Sequence, residues 1–255
     1  MQIFEWKNDP VVLPLKQAFP EFGSIKEYAS RQCIFSHDRS RVFAVAGKNY
    51  QPVPHRILID GVERALAEVG QAKSKRSITT TNGGARMFAH YRFQDLKAEP
   101  QVGDVVHLGI RILNSYDLTW KLDIRLYAHQ LVCKNGAVLG KEFGSISGKH
   151  FKGVIGEDMN VLSAGIKSMA SSAWKISKRW ETWQSTSITE ATATAMLDRA
   201  TWVPKKHRDY ILAGLFPMSM WDLYCRFTFA ATHMTASTNR RVELDDSVAQ
   251  LFYQE

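Results

Sequence analysis

Cationic side chains that alternate with aromatic rings along a strand can hold a flexible polyanion, because the cations meet phosphates while the rings stack on bases without reading sequence. That alternation recurs in this chain. Arg86, Phe88, His90 and Arg92 fall between Met87, Ala89, Tyr91 and Phe93. Farther on, Arg111 falls between Ile110 and Ile112, and Lys121, Arg125, Tyr127 and His129 interleave with Trp120, Leu122, Ile124, Leu126 and Ala128. Asp123 is the one acid of that series. Arg86, Arg92, Arg111, Lys121 and Arg125 are therefore the candidate nucleic-acid-binding residues of a sheet face. Lys149 and Lys152, and then Lys167, Trp174, Lys175, Lys178 and Arg179, extend the set. The competing explanation is a solvated polar face of the kind that antiparallel sheets commonly keep.

Catalytic constellations with the required spacing are missing from the sequence. It contains no GxSxG, HExxH or CxxC. Adjacent acids at Glu157-Asp158 and Asp245-Asp246 open predicted helices, where the helix dipole accounts for them. His129 and Cys133 would pair only if a strand irregularity brought them together. His37 beside Asp38 has the look of a ligand pair, but Ser36 and Ser40 around them favour turn hydrogen bonding. From Lys141 to Gly156 a glycine-rich basic stretch carries Lys149, His150 and Lys152. Val154 after Gly153 breaks the phosphate-loop consensus, which leaves at most contact with a backbone phosphate. These residues imply a binding protein and not an enzyme, with no cofactor and no metal.

Bulk properties agree with a polyanionic partner without requiring one. The 255 residues include 33 Lys plus Arg against 25 Asp plus Glu, a formal charge of +8. A hydrophobic fraction of 45% is enough to bury a sizeable core and excludes a disordered chain. Cys33, Cys133 and Cys225 are far apart, so neither a disulfide framework nor a zinc spacing can be drawn, and a reducing cytoplasm is expected. No apolar run approaches a membrane span, and MQIFEWKNDP lacks the pattern of a secretory leader.

The elements that must position these side chains follow from periodicity. Asp104 to Leu139 reads as a β-meander, with alternation from Val106 to Ile112, a turn at Asn114 to Asp117, and alternation again from Leu118 to Ala128. A slip at Gln130 and Leu131 predicts a bulge, and Asn135-Gly136 a hairpin turn. Upstream, strands are predicted at Val11 to Leu15, Gln32 to Phe35 and Val42 to Ala46, then a helix from Arg56 to Val69. A hairpin about Asn82-Gly83-Gly84 follows it. Downstream, Met159, Leu162, Ile166, Met169, Ala173, Ile176, Trp180 and Trp183 form a heptad-like seam on a helix from about Glu157 to Trp183. Capping boxes at Ser187/Glu190 and Ser219/Asp222 open two more helices. Another is predicted after Pro204, and a last one from Asp245 to Phe252, with Arg240 and Arg241 in the loop before it. The expectation is an α+β fold in one domain, 1–255. Its strand-rich part, 1–156, forms an antiparallel meander packed against the long helix, and its part 157–255 is helical.

RLYAHQLVCKNGAVLG at 125–140 resembles the Arg-Leu-Val-Cys-x-Asn-Gly motif of phage and plasmid-like proteins of unknown function. MWDLYCRFTFAATH at 220–233 is similar to their Trp-x-Leu-Tyr-Asn-x-x-Thr motif, with Cys225 where Asn is expected. The resemblance runs over about 45–250 and implies a phage, prophage or plasmid origin. Hairpins followed by a long basic helix also resemble, in architecture, the core of phage single-strand annealing proteins, which form rings or filaments on DNA.

The functional expectation is sequence-independent binding of single-stranded DNA, or RNA, in recombination, annealing or replication. The protein is expected in the host cytoplasm and as a homo-oligomer built through the seam or an open sheet edge. The alternatives are an interaction protein that counters a host defence or nuclease through the same basic face, and an enzyme with an unrecognised site.

Overall fold

The computed structural model describes residues 9–22, 29–100, 105–130, 136–138, 145–148 and 159–253. Three short strands come first. β1 (Val11–Pro14), β2 (Arg31–Phe35) and β3 (Val42–Gly47) pair antiparallel in that order, with Leu13 opposite Cys33 and Cys33 opposite Val45. The single turn α1 (Leu15–Ala18) follows β1 and brings Leu15 against Cys33 and Phe35. Between β2 and β3 the Asp38 carboxylate accepts from Ser36 Oγ at 2.6 Å, Ser40 N at 3.1 Å and Ser40 Oγ at 2.9 Å. These bonds, Ser36 first, lower its pKa to about 2, so Asp38 does the turn work that its serine neighbours predict.

α2 (His55–Glu68) begins directly after Pro54, whose fixed φ suits a helix entry, and is followed by Gly70 at φ 74. Its buried stripe is Leu58, Ile59, Val62, Ala65 and Leu66. β4 (Lys75–Thr81), β5 (Arg86–Ala98), β6 (Val106–Ser115), β7 (Leu122–Gln130) and β8 (Gly136–Val138) are neighbours in that order, and β9 (Ser145–Gly148) also pairs with β7. Then come α3 (Met159–Ser185), β10 (Ser187–Ile188), α4 (Glu190–Arg199), α5 (Lys205–Leu212), β11 (Met218–Ser219), α6 (Met220–His233) and α7 (Thr238–Tyr253). The class is α+β, with antiparallel pairing in the N-terminal half and helices in the C-terminal half, as the change of period predicts.

Contacts divide the chain into two compact units: Met1–Tyr91, Arg111–Ile124 and Ser145–Lys167 form the first, and Arg92–Ile110, Arg125–Gly144 and Ser168–Glu255 the second. β5, β6, β7 and α3 each contribute residues to both. In the first unit, Ile34, Ala46 and Tyr116 share a core cluster with Phe43 and Tyr50. In the second, α6 lies against α7, and Trp180 of α3 stands 5.3 Å from the ring of Trp221 while its indole N–H donates to Tyr253 Oη at 3.0 Å.

Several local expectations are corrected. Ser187 does not cap α4: it pairs with Ser219 in the β10–β11 ladder, and Thr189 takes the cap by accepting from Thr192 N. The Ser219/Asp222 capping box is present in both directions. Arg240 and Arg241 lie inside α7, which starts at Thr238, and Arg240 pairs with Glu243 one turn on. The bulge at Leu131 and the turn residue Asn135 lie outside the described residues. Of the helical seam, Ile166, Met169, Ile176 and Trp180 are each 0% exposed within the chain, Trp183 is half-buried, and the side chains of Met159, Leu162 and Ala173 lie outside the described residues.

Candidate nucleic-acid interface

The sheet-face cations do not form an open platform. β6 is buried along both faces except for the half-buried His107, and Arg111 itself is 0% exposed. Its guanidinium lies 3.4 Å from Asp123, which compensates the charge where water cannot. Arg86 donates to Asp117 at 2.6 Å and stands over the Trp120 ring at 5.8 Å. Arg125 pairs with Asp246 at 3.0 Å, Lys167 with Glu68 at 3.2 Å and Lys178 with Glu181 at 2.7 Å. Arg179 lies over the Tyr253 ring. Arg92 is half-buried, whereas Lys121 and Lys175 are exposed. Lys149 and Lys152 lie outside the described residues, as does the side chain of Trp174. Arg86, Arg111, Arg125 and Lys167 thus each meet an acid distant in sequence, whereas the partner of Lys178 lies three residues on in the same helix.

The first unit holds a different concentration of positive charge. Between Arg31 and Lys48 there are four cations, the other two being Arg39 and Arg41, against the single acid Asp38. The hairpin register sets Arg31 opposite Gly47, and Lys48 N donates to Ser30 O at 2.8 Å, so the backbones of Arg31 and Lys48 lie close at the open end of β2 and β3. Both border an open concavity of about 540 Å³, whose lining includes Val45, Tyr50 and Leu118 but no carboxylate. Val45 and Leu118 are 45% and 46% exposed there.

Three turns are joined through Asn82. Arg41 beside the β2–β3 turn donates to Asn82 Oδ1 at 2.6 Å, and Asn82 Nδ2 donates in turn to Asp117 Oδ2 at 2.7 Å, the same oxygen that receives Arg86. Asp117 Oδ1 accepts from Thr119 N at 3.2 Å. Burial alone would raise the Asp117 pKa, but the bonds from Thr119, Asn82 and Arg86 together outweigh it and hold the group below the usual carboxylate range. Each turn contains one non-glycine residue with positive φ: Arg39 at 59, Asn82 at 55 and Leu118 at 62. Asn tolerates that region, whereas a bulky Leu there is a marked exception.

Tyr50, which lines the concavity, adjoins a buried polar scaffold. His55 Nε2 lies 3.1 Å from the Gly84 carbonyl and Nδ1 lies 2.8 Å from Asn114 Nδ2, an amide that also donates to Val53 O. The carbonyl partner suits Nε2 as the donor, and Nδ1 can then accept from the Asn114 amide. It stacks on Tyr116 at 4.0 Å, and Tyr116 Oη receives His55 N at 2.6 Å. Tyr50 Oη donates to Ser115 O, while Gln32 Nε2 donates to Tyr50 O. Burial raises the phenol pKa values of Tyr50 and Tyr116 well above the ordinary range, so both act as neutral, fixed supports.

Two further cavities are smaller. One of about 350 Å³ is bordered by Glu63, Arg76 and Tyr91, whose polar groups already bond to one another, and one of about 400 Å³ by Tyr210, Asp222 and Arg226. Among the described residues, no group of three His, Cys, Asp or Glu side chains is placed to hold a metal, and no helix is long and apolar enough to cross a membrane.

Sequence inspection missed Arg31, Lys48 and Leu118. The cation excess from Arg31 to Lys48 was the available signal for the first two; nothing in the residue types marks Leu118. A family model described as a domain of unknown function, DUF932, matches residues 42–244, which takes in Lys48, Tyr50 and Leu118 and leaves Arg31 outside. No curated protein and no solved structure matches the chain.

Proposed function

We propose that this chain, which belongs to the DUF932 family of unknown function, is a nucleic-acid-binding protein that takes single strands without sequence preference through the concavity of the first unit. The supporting observation is that Arg31 and Lys48 both border a hollow that has exposed apolar side chains and no carboxylate among its lining residues. Cations without a competing acid suit phosphates, and apolar walls suit the faces of bases. The site thus differs from the sheet face inferred from alternation, while the class of partner is the same. A phage or plasmid setting, a cytoplasmic location and a role in annealing, recombination or replication belong to the same proposal and rest on the sequence resemblances. Self-association belongs to it too. Ile166, Met169, Ile176 and Trp180 of the seam are buried, which favours a sheet edge such as β4, the end of the strand order and largely exposed. Light scattering with and without a long single strand tests that part, and a monomer under both conditions removes it.

The binding test is a salt-dependent fluorescence anisotropy titration with single-stranded and duplex oligonucleotides of equal length. Wild-type protein should favour the single strand, and Arg31→Glu with Lys48→Glu should weaken it by tenfold or more at moderate salt. Losing two phosphate contacts should also flatten the log–log salt slope by about 1.4. Unchanged affinity and slope in the double variant would overturn the reading.

A further inference from the structure

We infer that Leu118 is the residue that selects unpaired bases, acting as an apolar wedge against the face of a nucleobase held at the Arg31–Lys48 rim. The inference deepens the nucleic-acid reading and rests on it. Leu118 has φ 62, where the Cβ of an L residue crowds the backbone, and glycine or asparagine is the ordinary occupant of such a turn. Its surroundings fix that conformation. Asp117 is tied to Thr119, Asn82 and Arg86, and the far side is closed by Trp120 N donating to Ser115 Oγ at 3.0 Å and by Ser115 Oγ donating to Trp120 O at 3.1 Å. The turn is therefore over-determined around an unfavourable residue. Burial offsets the strain only in part, since 46% of Leu118 remains exposed. Unfavourable backbone geometry held by its neighbours, with its side chain presented to solvent, is the pattern of a site whose benefit comes from a ligand.

The ligand chemistry follows from the neighbours. Leu118 shares its hollow with two cations, an exposed Val45 and no acid, so whatever contacts it must carry negative charge beside an apolar surface. A nucleotide whose base has left the stack meets both demands. In a duplex the base faces are covered by neighbouring pairs, and insertion of an apolar side chain must first pay for unstacking. Phosphate contacts alone do not distinguish strand states by base exposure, so the preference for single strands falls to the apolar contact.

The test compares Leu118→Gly, Leu118→Asn and Leu118→Phe with wild type, on a single strand, a duplex and an abasic single strand of the same length and charge. Gly and Asn suit the backbone, so the thermal midpoint should not fall. Both should bind the single strand about tenfold more weakly while duplex affinity and the salt slope stay as in wild type. The Phe variant should retain the preference, and wild type should bind the abasic strand as weakly as Leu118→Gly binds the normal one. An unchanged single-strand preference in both Leu118→Gly and Leu118→Asn, or equal wild-type affinity for the abasic and normal strands, overturns this inference alone. No binding by wild type, or binding indifferent to the Arg31 and Lys48 substitutions, overturns the parent reading with it.

Discussion

Arg111 reaches Asp123 at 3.4 Å between the neighbouring strands β6 and β7, and their side chains are 0% and 8% exposed. A charge pair so far from water is held more by the cost of separating it than by the strength of its attraction. Arg111→Ala or Asp123→Ala alone should therefore destabilise the fold by about 3–5 kcal/mol in urea denaturation. Arg111→Met with Asp123→Leu should recover much of that loss, because the pair of apolar groups strands no charge. A double variant no better than the singles would show that the pair is indispensable for packing.

Asp117 gives a second measurable contribution. Its carboxylate joins the turns near Asn82 and Leu118, and Asp117→Ala removes charge-assisted bonds from Asn82 and Arg86. Such bonds contribute about 1.5–3 kcal/mol each, and the two here share one oxygen, so a total loss near the lower single-bond value, about 2 kcal/mol, is expected. Because the folded pKa is depressed, the contribution is present above the unfolded value and is lost as pH falls through the folded one. Acid titration of stability should accordingly be shallower in Asp117→Ala than in wild type; parallel curves would remove the carboxylate from the account.

Much of this architecture is legible in the sequence, and the losses have definite causes. Period two finds β5, β6 and β7 because alternation follows from the pleat itself. It does not reveal whether the polar face is wet or covered, since Arg111 and Arg125 read alike until Asp123 and Asp246 are known to meet them. Ser187 and Thr189 are both competent caps, and the choice falls to Thr189 because Ser187 is already paired with Ser219 on β11. Arg31 and Lys48 become neighbours only through the β2–β3 register. Leu118 contradicts the turn preferences outright, and sequence reasoning fails there for the same physical reason that makes the residue a candidate for function.

The strain at Leu118 should also appear without any ligand. A left-handed backbone costs a bulky L residue roughly 1–2 kcal/mol, and Asn adopts it more easily. Leu118→Asn is expected to raise unfolding free energy by about 1 kcal/mol, since the exposed half of the leucine contributes little burial. A destabilised Leu118→Asn would mean that the buried half of the side chain outweighs the backbone term.

His207 on α5 supplies the last prediction, in a different pH window. The residue is 2% exposed, and its Nε2 is buried without a hydrogen-bond partner among the described residues. Burial first, and the charge of Lys206 second, push its pKa below the ordinary histidine value, against a smaller opposing effect of a bond to the Met234 backbone. An unfolded chain takes up a proton on this ring near pH 6.5, whereas the native ring resists it until lower pH. The unfolded state therefore binds more protons in that interval, and native stability must fall as pH drops below about 6.5, by up to about 1.4 kcal/mol per pH unit until the native ring also protonates. His207→Gln will have its own fixed cost from altered packing, so the informative quantity is the slope and not the absolute value. Urea denaturation from pH 7 to pH 5 should give a shallower decline in His207→Gln than in wild type, and equal slopes would show that His207 takes up its proton as readily in the native protein as in the unfolded chain.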